Sequence, residues 1–97
     1  MNRPETLRLE FIAPIVIGQG DASITYTHVD LCEPSAGDLE HAQRADTPVG
    51  MVINLVEVIG KVPRLVAQKM KGRDIDRANA FLSSFRPGPE TAADGPS

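Results

Sequence analysis

The sequence predicts an α+β fold: an N-terminal β-hairpin followed by three or four short helices and a disordered C-terminal tail. Three observations lead there. Strand-type alternation is confined to the first third, helix start and stop signals recur from residue 35 onward, and the last residues are rich in proline and glycine. A chain of 97 residues can build one modest core but not two. Residues 1–86 are therefore expected to form a single α+β domain, with 87–97 as the tail.

From Thr6 to Ile12, Leu7, Leu9 and Phe11 fall on one face and Arg8 and Glu10 on the other, as in a half-buried strand. Pro14, a short apolar piece Ile15 to Ile17, and the turn formers Gly18, Gln19, Gly20 and Asp21 follow, which predicts a hairpin. The second strand, Ser23 to Leu31, sets Ile24, Tyr26 and His28 against Thr25, Thr27, Val29 and Leu31. Either face could be the buried one, although Val29 and Leu31 suggest a switch near the end. Glu33 and Pro34 stop the strand, since proline has no N–H for a ladder.

Ser35 reads as an N-cap with Asp38 at the third helical position, giving a first helix to about Ala45. Thr47 followed by Pro48 is a second start signal, and helix two is expected over Pro48 to Ile59 with Gly60 as its left-handed closing residue. Pro63 opens a third helix carrying Leu65, Val66 and Met70, ended by Gly72. Asp74 starts a fourth, with Ile75, Ala78, Leu82 and Phe85 inward and Arg73, Asp76, Arg77 and Ser84 outward. Beyond it, burial cannot offset the entropy of ordering residues 87–97, so disorder is expected there.

Composition narrows the function classes. Hydrophobic residues make up 41% and charged residues 24%, ordinary for a globular domain, with Phe11, Tyr26, Phe81 and Phe85 the only aromatics, so the core must be aliphatic. The lone Cys32 and the absence of a signal-type N-terminus point to a reducing cytoplasm. The longest apolar run, Val49 to Ile59, is too short to span a bilayer. Residues 1–60 hold nine acids against three bases, whereas 61–86 hold seven bases against Asp74 and Asp76. Such a dipolar chain is expected to self-associate or to meet a complementary partner.

No nucleophile elbow, phosphate loop, zinc-protease helix or dinucleotide fingerprint occurs, so no enzyme and no cofactor is expected. His28, Asp30, Cys32 and Glu33 lie close in sequence, but this mixed set matches no common metal site and His41 is the only other histidine; ordinary strand residues are the better reading. Asp74 and Asp76, two apart on a helix, point to different sides and read as a cap and a solvated charge. Lys61 to Arg77 loosely suggests a helix-turn-helix. Its second helix opens with two acids and the whole chain is acidic, which disfavours nucleic acid.

Helix two is apolar all round and must be covered all round, by the core or by a partner. Val49, Val52, Val56 and Ile59 form one stripe, leaving Met51, Leu55 and Val58 as the expected partner-binding residues.

Leu31-Cys32-Glu33-Pro34-Ser35-Ala36-Gly37-Asp38-Leu39 after a hairpin, then Leu55-Val56-Glu57-Val58-Ile59-Gly60-Lys61-Val62-Pro63, then a helix with Asp74 and a closing Phe85, resembles the tail assembly chaperones of Mu-like tailed phages. The resemblance spans residues 5 to 86. Pro34, Ser35, Gly37, Asp38 and Leu39 match the family's Glu-Pro-Ser/Thr-Ala-Gly-Asp-Leu turn, and Gly60 and Asp74 match later landmarks; the short first helix and the Thr47-Pro48 start depart from it. The resemblance implies a non-enzymatic protein of the bacterial host's cytoplasm, absent from the finished virion. It would hold the phage tape measure protein soluble while tail tube protein polymerises. The alternatives are a minor tail protein kept in the virion and a small DNA-binding regulator using Lys61 to Arg77.

Overall fold

The computed structural model describes residues 6–85. The tail expected at 87–97 lies outside the described residues. Two strands, β1 (Thr6–Ile17) and β2 (Ile24–Cys32), form an antiparallel hairpin, followed by helices α1 (Ala36–Ala42), α2 (Pro48–Gly60), α3 (Arg64–Lys69) and α4 (Gly72–Ser83). The fold is α+β as the sequence predicts.

β1 runs through Pro14 in one long strand, and the irregularity that proline imposes appears in the register. Glu10 pairs with His28 but Ile15 pairs with Tyr26, so four β1 residues stand opposite Thr27 alone. Gly18, at φ 96°, and a short 3-10 turn over Gly20–Ala22 close the hairpin. At its base Leu9, Val29 and Leu31 are buried beneath the helices; at its tip Ile24 and Val16 are 57% and 52% exposed. The face switch expected within β2 therefore coincides with the break in β1.

The helix starts obey local chemistry. The Ser35 hydroxyl accepts from the Asp38 N–H at 3.1 Å and the Asp38 carboxylate from the Ser35 N–H at 2.9 Å, a complete capping box. Thr47 accepts from the Gly50 N–H at 2.9 Å, with Pro48 at the first helical position. The ends differ from expectation. α1 stops at Ala42, short of Ala45, and Gly72 opens α4 rather than ending α3.

Gly60 is the last residue of α2, not the left-handed residue after it; that conformation belongs to Lys61, at φ 57°. What requires glycine at 60 is proximity. A β-carbon there would lie 2.2 Å from Cγ2 of Val29, so α2 ends with its backbone pressed on β2. Val56 and Ile59 are buried in the same core, with Val66, Ala67 and Met70 of the α3 segment and Ile75, Ala78 and Leu82 of α4. Phe85, expected in the α4 stripe, is only half-buried and meets Phe81 edge to face at 5.1 Å.

Candidate functional site

Asp74 is completely buried and is not a cap. Its Oδ2 accepts from the Ile12 N–H at 2.9 Å, and its Oδ1 from Nη1 of Arg77 at 3.0 Å. Arg77 also donates to the Glu10 carbonyl at 3.2 Å. Glu10 and Ile12 lie where β1 loses its register with β2, so their backbone groups need partners other than a strand. One acid and one base on α4 supply them. The clasp is structural, and Asp76 alone matches the expected solvated charge.

A second polar group joins three helices. Buried Asn54 donates to the His41 carbonyl at 3.3 Å and accepts from Arg64, and Glu57 sits 3.7 Å from Arg64 and 4.0 Å from His41. Among the described residues no buried side-chain nitrogen or oxygen lacks a hydrogen bond, so these contacts leave no buried polar side chain unpartnered. On the open face of the hairpin Arg8 bonds Asp30 at 3.0 Å; that hydrogen bond holds the carboxylate below its ordinary pKa and raises the guanidinium. His28 is 3.9 Å from the same carboxylate, and no metal-binding group of His, Cys, Asp and Glu forms among the described residues.

The feature that remains is apolar. Pro34, Leu39, Pro48, Met51, Val52, Leu55 and Leu82 line an open groove of about 120 Å³ between α1, α2 and α4, edged by Asn79 and Ser83. A second hollow, bounded by Val49, Ile75 and Asp76, shares Pro48, Val52 and Asn79 with it. Together they run along α4 beside the N-terminal half of α2.

The three expected partner-binding residues therefore separate. Met51 is half-buried and lines the groove; Leu55 lines its floor but is only 9% exposed and belongs to the core; Val58 is 38% exposed and lies outside the groove lining. Val49, which the sequence assigns to the inward stripe with Val52, Val56 and Ile59, is 56% exposed. Pro34 and Leu39, read from sequence only as parts of a turn, supply groove wall. Their apolar character just before and inside a capped helix is the signal that could have revealed them.

Of the bases between Lys61 and Arg77, Arg64 and Arg77 are engaged internally, while Lys61, Lys69, Lys71 and Arg73 make no ion pair with another described residue. No helix among the described residues is long and apolar enough to cross a membrane. Compared with protein-family models, with curated proteins and with solved structures, the chain matches none.

Proposed function

We propose that this protein is a tail assembly chaperone that binds a phage tape measure protein and keeps it soluble while the tail tube forms. The observation that carries the reading is that Pro34 and Leu39, from the turn on which the family resemblance chiefly rests, line the same groove as Met51 and Leu55. A holdase for amphipathic helices needs an open aliphatic groove and no catalytic group. On this reading the protein acts in the bacterial host's cytoplasm, associates with itself as well as with its client, and is not carried into the virion.

Co-expression with the tape measure protein encoded beside it tests the proposal. The expected result is co-purification and a rise in the soluble fraction of the client. A client equally insoluble with and without the protein would overturn it, and detection of the protein by mass spectrometry in purified particles would favour a minor tail protein instead.

A further inference from the structure

The two strands of the hairpin are guarded unequally. A two-stranded sheet has two outer edges, each a row of main-chain N–H and C=O groups open to another strand, and proline, lysine or a bulge is what ordinarily blunts one. β1 carries Pro14 and the four-residue irregularity, and α4 holds its Glu10 carbonyl and Ile12 N–H. β2 has no such guard. Its nine residues contain neither proline nor lysine, and among the described residues its main chain bonds only to β1.

The outer edge of β2 is also open in space. A hollow over one face of a strand is lined by every second residue. The hollow beside β2 is lined by every residue from 25 to 30, with Gly60 and Val62 next to them, so it follows the edge. An isolated two-stranded hairpin is at best marginally stable in water and gains from further strands. A second copy supplies a strand already held extended, whereas an unfolded client segment would first have to lose its chain entropy. Charge agrees with a second copy. In antiparallel pairing about Thr27, which is exposed and has no register partner on β1, Thr27 meets Thr27, His28 meets Tyr26, Val29 meets Thr25 and Asp30 meets Ile24. No charge then faces its like. The two Asp30 carboxylates stand about 20 Å apart along the strands, beyond the screening length in ordinary salt.

We propose that β2 pairs antiparallel with β2 of a second copy across a two-fold axis at Thr27, joining two hairpins into one four-stranded sheet in the order β1-β2-β2-β1. A two-fold contact is self-complementary and closed, so the assembly stops at a dimer. The pairing gives a surface to the self-association in the chaperone reading and rests on that reading for its role in the cell. None of the residues lining the groove between α1, α2 and α4 lies on β2, so the dimer leaves that groove to a client.

Sedimentation equilibrium of the full chain over a concentration series reads the stoichiometry. A dimer is expected, with the amides of residues 24–30 gaining protection from hydrogen exchange as it forms. Thr27→Lys sets like charges opposite each other across the axis, and so does Thr27→Glu, so either variant alone should dissociate at least about tenfold more readily. An equimolar mixture of the two should regain the dimer, because each lysine then faces a glutamate. Thr27 is exposed, and circular dichroism checks that each variant is folded. Leu39→Ala with Met51→Ala, in the groove, should leave the dimer unchanged. A wild-type chain that stays monomeric, a dimer indifferent to Thr27→Lys, no recovery on mixing, or a dimer abolished by the groove variant would each overturn the pairing. So would β2 amides protected only once the tape measure protein is added, which would hand the edge to a client strand. A monomer would leave client binding at the groove standing, whereas a dimer without co-purification of the tape measure protein would remove the chaperone reading and keep the pairing.

Discussion

The two ends of α2 are built from the same kinds of side chain and put to opposite use. At the C-terminal end Val56 and Ile59 are buried and Gly60 lies against Val29. At the N-terminal end Val49 is 56% exposed and Met51 stands over an open groove. The difference lies in what each end packs on. One end meets the hairpin; the other has only the seven-residue α1 and one flank of α4 beside it. Gly50 does not repeat the role of Gly60, because a β-carbon there would meet only side-chain atoms of Ala45 and Thr47, at 3.0 Å. A helix apolar all round therefore need not be equally covered, and the close approach at Gly60 marks the covered end.

The largest expected effect breaks the covered end. Gly60→Ala places a methyl 2.2 Å from a Val29 methyl, so α2 must lift from β2. Overpacking of this severity should cost about 3 kcal/mol, at the upper end of the usual range, read as a shift in the urea midpoint. Val29→Ala in the same chain should recover part of that loss, and strict additivity of the two changes would show that Gly60 serves something other than this contact.

Next in size is the clasp that holds the hairpin to α4. Asp74→Ala strips the completely buried acceptor from the Ile12 N–H and from Arg77, and is expected to destabilise by about 2 kcal/mol. Protection of the amides around Ile12 from hydrogen exchange should fall with it. Asp76→Ala, an exposed control on the same helix, should stay within about 0.5 kcal/mol of wild type. Similar losses from the two variants would mean that Asp74 matters only as helix charge.

Contrast among these residues explains how much of the fold was legible in the sequence. Ser35, Asp38, Thr47 and Pro48 were readable because each cap closes a contact within three residues, and such chemistry is written locally. Asp74 was not, because its main-chain partner lies 62 residues away, across a break in a strand that only tertiary packing defines. At Gly60 the sequence shows that a glycine ends the helix but not why, since a helix-terminal glycine looks the same whether it supplies a left-handed turn or close approach. At the groove, helical spacing found Met51 but could not tell it from Leu55; both leave the core-facing stripe, and only the position of α1 and α4 decides which is covered. Pro34 and Leu39 were hidden behind their stronger role as turn residues.

Lys61 offers a smaller and opposite effect at the covered end. A non-glycine residue in the left-handed region is strained by about 1 kcal/mol, part of which a glycine returns as greater freedom in the unfolded chain. Lys61→Gly is therefore expected to raise stability by roughly 0.5 kcal/mol. A loss would mean that the lysine stem covers apolar surface strongly enough to outweigh its backbone strain.

The smallest expected effect on stability is the sharpest test of the open end. Val49 sits in the first turn of α2, more than half exposed, so shortening it removes little buried surface. Alanine is also the better helix former, because valine's branched side chain loses rotamer freedom in a helix, by at most about 0.7 kcal/mol. Val49→Ala should thus leave the urea midpoint unchanged or slightly raised, while Val56→Ala, from the same helix but completely buried, should lower it by about 2 kcal/mol. If Val49→Ala instead weakened the fold by more than about 1.5 kcal/mol, the N-terminal half of α2 would be covered in solution by the chain itself or by a second copy. A concentration series separates the two, since only burial by a second copy makes the loss depend on protein concentration. A loss at every concentration would close the groove to any client, and one confined to high concentration would make the open end a self-association surface.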